Sequence, residues 1–191
     1  MSSFAEEKPG ALRPEAQEEK KKEDGDDLEG LKPIVRAFLF RRKGSLLHTS
    51  GEYDDAIAHF RRSIAIHPTA EAHTFLGWSL SMLGRYEEAI VQCEKAIPLD
   101  PDFGNPYNDI GVYLIALGRV REAEPWLRKD MRAKRYCCRQ FPHFNLGRIY
   151  LAEGRLGEAG RLFERALEFD PDYIPARQGL EIIRAHRLRT L

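Results

Sequence analysis

From Ala70 to Leu83 the apolar positions Ala72, Phe75, Leu76, Leu80 and Leu83 recur at helical intervals. That spacing marks one face of a helix and not the alternation of a strand. A second run follows from Tyr86 to Ile97, with Tyr86, Ala89, Ile90, Cys93, Ala96 and Ile97 in the same rhythm. Gly84 separates the two runs, where a helix can close through a left-handed residue. Glu87 and Glu88 fall in the first turn of the second run, where carboxylates suit the helix dipole. Pro101 stops that run. The pattern predicts an antiparallel helix pair. Each helix alone leaves an apolar stripe in water, and a neighbouring pair must cover what the first pair does not.

The pair recurs along the chain. Phe40, Gly44, Leu47, Gly51, Tyr53, Ala56, Phe60 and Pro68 repeat it before Ala70. Tyr107, Ile110, Gly111, Leu114, Gly118, Ala123 and Leu127 repeat it after Phe103. Leu146, Gly147, Tyr150, Gly154, Ala159, Phe163, Ala166 and Pro171 repeat it again. Gly44, Gly77, Gly111 and Gly147 are expected to pack where two helices touch, Gly147 facing Ala159. Gly51, Gly84, Gly118 and Gly154 are expected in turns. The packing glycines are separated by 33, 34 and 36 residues. The longer last interval, with no proline to close the third unit, predicts a lengthened helix or an added loop near MRAKRYCCRQF. Pro125 lies inside a helical pattern and removes one backbone bond there, so a small kink is expected.

These residues resemble the tetratricopeptide repeat, whose period is about 34 residues and whose pattern runs Trp-x2-Leu-Gly-x2-Tyr, Ala-x3-Phe, Pro. Leu146-Gly147-x2-Tyr150, Ala159-x3-Phe163 and Pro171 fit it best. In the unit beginning at Ala70, His73 stands at the aromatic start and Cys93 at the Phe position. The resemblance implies an all-α fold, a right-handed superhelix of four helix-turn-helix units over 37–69, 70–103, 104–139 and 140–173. An amphipathic helix over 174–191, with Arg177, Glu181, Arg184 and Arg187 outward, is expected to cap it.

Residues 1–30 change the picture at one end. They hold ten acids and five bases and few large apolar groups, so a disordered, charged tail is expected there. The whole chain is neutral, and the remainder is correspondingly net +5. A pI near 7.0 lacks the basic footprint of a nucleic-acid binder. The start MSSFAEEKPGALRPE has no basic region leading into an apolar run, so no signal peptide is expected. No apolar run reaches the roughly 18 residues of a membrane span, and three cysteines make no disulfide framework. A reducing cytoplasm is the expected compartment.

Chemistry is sparse. Cys137, Cys138 and His143 form the one cluster of soft ligands, and vicinal cysteines are poorly spaced to share a zinc ion. No phosphate-cradling loop or nucleophile-base pair has supporting context, so neither a catalytic role, nor a metal, nor a cofactor is expected. The segment 121–148 carries eight bases and three acids, with Tyr136, Phe141 and Phe144 among them. Basic residues interleaved with aromatics can hold single-stranded nucleic acid, which makes an RNA or polyanion site the alternative reading. A structural subunit of a larger assembly is a third.

The resemblance implies that the first helix of each pair lines a concave groove that takes a peptide or helix of another protein. In that register the groove residues are Phe75, Trp78, Met82, Asn108, Asp109, Val112, Asn145 and Arg148, within a wider set that includes Arg41, Ser45, Thr74, Asn105, Phe141 and Phe144. Co-chaperone members of the family grip a carboxylate end with a Lys/Asn clamp. Here the corresponding positions hold Arg41, Ser45, Phe75, Asn105 and Asp109, or Thr74, Trp78, Asp109, Phe141 and Asn145, and neither set makes that clamp. The expected function is a non-enzymatic scaffold for protein–protein interaction. The partner is not written in the sequence.

Overall fold

The structure, a computed structural model, describes residues 28, 30–136 and 138–189. The expected tail falls almost wholly outside the described residues, as does Cys137. Nine α-helices are present among the described residues: α1 (Pro33–Thr49), α2 (Tyr53–Ile66), α3 (Ala70–Met82), α4 (Tyr86–Ala96), α5 (Asn105–Ala116), α6 (Val120–Asp130), α7 (Gln140–Ala152), α8 (Leu156–Phe169) and α9 (Ile174–Arg189).

Local signals set most of the helix ends. Pro33 and Pro106 sit in the first turns of α1 and α5, where a missing N–H costs nothing. Thr69 caps α3 by accepting from the Ala72 amide at 3.1 Å. Gly51, Gly84, Gly118 and Gly154 close the inner turns with φ between +73° and +82°, a conformation open to glycine. The arginine after three of those glycines folds back on the glutamate three residues on: Arg85 on Glu88, Arg119 on Glu122, Arg155 on Glu158. Such exposed pairs add little stability, but they mark the same turn in three units. α6 runs through Pro125 unbroken.

Consecutive helices pack against each other from α1 to α9. Beyond that, the first helices of successive pairs touch: α1 on α3, α3 on α5, α5 on α7 and α7 on α9. The second helices α2, α4, α6 and α8 make no such contact with one another. A row that closes up on one side and opens on the other is curved, with the first helices inside. This is the all-α superhelix that the repeats predict.

The packing glycines work differently from the expected small-on-small contact. A Cβ on Gly147 would stand 2.7 Å from the Phe163 ring, not against Ala159. Gly44 meets Phe60 at 2.9 Å and Gly111 meets Leu127 at 2.6 Å. Each glycine is a notch for the large side chain that its partner helix buries. Gly77 meets the smaller Cys93 Sγ at 3.2 Å and the Ala89 carbonyl at 3.1 Å, a looser version of the same joint. Phe60, Leu127 and Phe163 are at most 1% exposed, and each such burial is worth about 1.5–3 kcal/mol.

The described residues added to the third unit, 131–136 and 138–139, form a loop and not a longer helix. Arg135 anchors it. Its backbone pairs with the turn before α5, Arg135 N–H donating to Asp102 O at 2.9 Å and Gly104 N–H to Arg135 O at 3.1 Å. Its guanidinium lies 4.3 Å from the Phe103 ring centroid and bonds to Asp100 and to Glu71. Lys134 pairs with Asp102 at 3.1 Å.

Candidate binding groove

The sequence-predicted groove residues lie on the first helices α3, α5 and α7, and they differ in exposure. Trp78 is 48% exposed and Met82 50%, one turn apart on α3. Val112 on α5 is 36% exposed. Trp78 has two environments. One side stacks on His48 of α1, centroids 4.1 Å apart, while His48 Nδ1 bonds the Ser79 hydroxyl at 2.9 Å. The rest of the indole stays open. Phe75 is half-buried, 6.0 Å from the Phe60 ring, and serves packing more than display.

Asn108 and Asn145 are both only 7% exposed. Asn145 Nδ2 donates to Asn108 Oδ1 at 3.0 Å, and Asn108 Nδ2 donates to Asp109 Oδ1 at 3.4 Å. These amides tie α5 to α7. Their hydrogen-bonding groups are spent partly on each other, not aimed wholly at a ligand. Asp109 is half-buried, and desolvation pushes its carboxyl up to about 7 against the Asn108 bond that lowers it. Arg148 is exposed and lies 5.6 Å from the Phe144 ring centroid. Among the described residues it makes no ion pair, so Asp109 does not hold it.

Arg148 of the predicted set and Phe144 of the wider one also line a cleft of about 520 Å³. Ile115 of α5, Phe144, Arg148, Leu151 and Ala152 of α7, and Pro175, Gln178 and Ile182 of α9 line it. Sequence reading placed α9 as a polar-faced cap and missed its share. The missed signal is Gly179, which follows Gly147 by one repeat length. A Cβ there would stand 2.5 Å from the Phe163 ring. α9 is thus built like the first helix of a pair, and it exposes Ile174 at 61% and Ile182 at 54%.

A second carboxyl is buried at the end of α6, against Gly104. Asp130, at the end of α6, is 1% exposed, and neither carboxylate oxygen has a hydrogen-bond partner. Its Oδ1 would be 2.4 Å from a Cβ on Gly104. Desolvation, then the Asp109 charge, push its carboxyl up to about 8, with Arg139 opposing.

Among the described residues no group of three or more His, Cys, Asp or Glu could hold a metal ion. None of the described helices is long and apolar enough to cross a membrane.

Curved stacks of helix pairs with a side-chain-lined inner face define the class of α-solenoid binding scaffolds. The comparisons with known proteins give the family. Models described as "Tetratricopeptide repeat" match residues 42–69, 70–103, 111–129 and 141–173. The chain belongs to the tetratricopeptide repeat family. Sperm-associated antigen 1 of Mus musculus is 36% identical over 75 residues, covering 38% of this chain and 8% of that protein. The chain therefore spans only a small part of that relative. Among solved structures, pilF of Pseudomonas aeruginosa superposes with a TM-score of 0.67 at 22% identity, covering 81% of this chain and 78% of that one. YrrB, a TPR protein titled as having an unusual peptide-binding site, gives 0.61 at 20% identity, covering 93% and 85%. At those identities the likeness is one of fold. Family and fold are those of scaffolds for protein–protein interaction, generally without enzymatic activity.

Proposed function

We propose that this chain binds a peptide or helix of a partner protein along the inner face of the superhelix, with four units over 37–69, 70–103, 104–139 and 140–173 as the binding array. One observation carries the reading. Trp78, Met82 and Val112 are large apolar side chains left exposed on first helices, and Arg148 on the next first helix lines the apolar cleft beside α9. Open aromatic and apolar groups beside oriented polar ones are what binding hot spots use.

The polyanion reading loses three of its eight bases to acidic partners. Arg135 is engaged by Asp100 and Glu71, Lys134 by Asp102 and Arg128 by Glu124. Lys129 lies 4.3 Å from the Trp126 ring centroid.

The test is affinity capture with the full chain, identification of the captured protein, and calorimetry on the purified pair. Trp78→Ala and Val112→Asp are expected to weaken the pair by about 1–2 kcal/mol or more each. Arg132→Glu with Lys134→Glu is expected to leave it nearly unchanged. The opposite outcome would move the functional surface to the 131–139 loop. Asn145→Ala is a poor probe, because it strands the buried Asn108 carbonyl.

A further inference from the structure

The cleft beside α9 has a composition that specifies what enters it. Its lining is mostly apolar and drawn from five helices, α5 to α9, with Ile115, Phe144, Leu151 and Ile182 among the bulky contributors. Its volume of about 520 Å³ lies within the ordinary range for pockets that enclose a ligand group. One ionised side chain lines it, Arg148, and that guanidinium has no acidic partner among the described residues. It rests 5.6 Å from the Phe144 ring centroid, an arrangement that orients the cation while leaving its N–H fork free.

We propose that this cleft is the specificity pocket of the groove, and that it takes a bulky apolar side chain of the partner segment with a carboxylate one or two residues away on Arg148. The inference rests on the groove reading. A single cation matches a monoanionic carboxylate; a phosphate dianion calls for a cluster of cations. The other lining polar group, Gln178, can hold the segment's backbone by donating and accepting. A basic segment is disfavoured, since it would bring a second cation against Arg148. The chain's own Phe4, followed by Glu6 and Glu7, has the same chemistry, so the test must separate it from a partner.

The test is selection of random nine-residue peptides displayed on phage, against the full chain and against its Arg148→Glu variant. The expected consensus on the unaltered chain is a bulky aliphatic or aromatic residue with Asp or Glu within two positions. Arg148→Glu is expected to keep the apolar residue and exchange the acid for Lys or Arg. A gained preference of that kind cannot come from unfolding. The synthetic consensus peptide, followed by fluorescence anisotropy, is expected to bind at least about tenfold more weakly to Arg148→Glu and to Ile182→Asp. No consensus, a consensus without the acid, or no charge exchange overturns the proposal. If the peptide is weakened by Trp78→Ala or Val112→Asp but not by Arg148→Glu or Ile182→Asp, the groove stands and the pocket falls. If none of the four changes binding, both fall. A gain in affinity on Phe4→Ala makes the chain's own segment the occupant and overturns the assignment to a partner.

Discussion

Replacing Asp130 by Asn should flatten this protein's loss of stability with rising pH around neutrality, so that the two proteins exchange rank. Asp130 is buried with both oxygens unpartnered, and its carboxyl is raised from 3.8 to about 8. A group raised on folding binds its proton more tightly in the folded chain. Stability is then full below the unfolded value and is lost as pH rises through the folded one. The window runs from about pH 4 to about pH 8. Within it the loss is about 1.4 kcal/mol per pH unit, so from pH 5 to pH 8 it approaches about 4 kcal/mol. Asp109 shares the field and titrates nearby, so the two protons leave as a coupled pair and about 2–4 kcal/mol is the expected range. That is a large part of an ordinary domain's stability. Asn cannot ionise, but its amide has no partner there either, at a cost of about 1–3 kcal/mol. The unaltered protein should therefore be equal or more stable at pH 5, and Asp130→Asn more stable at pH 8.5. Urea midpoints by circular dichroism at half-unit steps from pH 5 to 9 read the crossover directly. Parallel curves for the two proteins would refute the buried, unpaired carboxylate.

Gly147→Leu should cost about 3 kcal/mol or more by overpacking Phe163, whereas Gly154→Ala, with open space around its φ of +75°, should cost about 1 kcal/mol from backbone strain alone; thermal melts of the two variants compare them, and equal values would break the repeat register. Arg135→Glu should change global stability by only about 1 kcal/mol, because its pairs are exposed, yet it should speed amide exchange at Gly104 and Arg135, the two donors of the loop's backbone bridge. Trp78→Ala should leave helicity unchanged, since the indole is 48% exposed, while quenching the fluorescence change that accompanies partner binding.

The fold was legible because each unit announces itself through volume. A packing glycine, a turn glycine seven residues on, and a Phe, Cys or Leu sixteen residues on recur in all four units. Gly44, Gly77, Gly111 and Gly147 were found this way, though the contact they make was read wrongly: sequence shows that a position is small, not which large neighbour fills the space. The groove was legible only in part. Trp78, Met82 and Val112 are placed by helical register alone, so their exposure followed from the pattern. Asn108 and Asn145 lie in the same register, but their mutual bond crosses 37 residues, and nothing in either local sequence signals it. The share of α9 was hidden because no second helix follows Gly179 among the described residues, whereas each of the other four glycines has one. The loop over 131–139 reads as a basic patch in one dimension; its acidic partners Glu71, Asp100 and Asp102 lie 32 to 64 residues earlier.

Phe163 has one face against Gly147 and another against Gly179. One ring is therefore the rivet between α7 and α9, and the wall that α9 gives to the cleft is held by the last joint of the array. Ends of helical arrays open first and most often. Any segment that spans α7 and α9 must find that joint closed, and by mass action it must in turn hold the joint closed. The opening equilibrium of α9 and the binding of any such segment are thus one coupled quantity. Amide protection along α9 would report ligand affinity without any probe on the ligand itself.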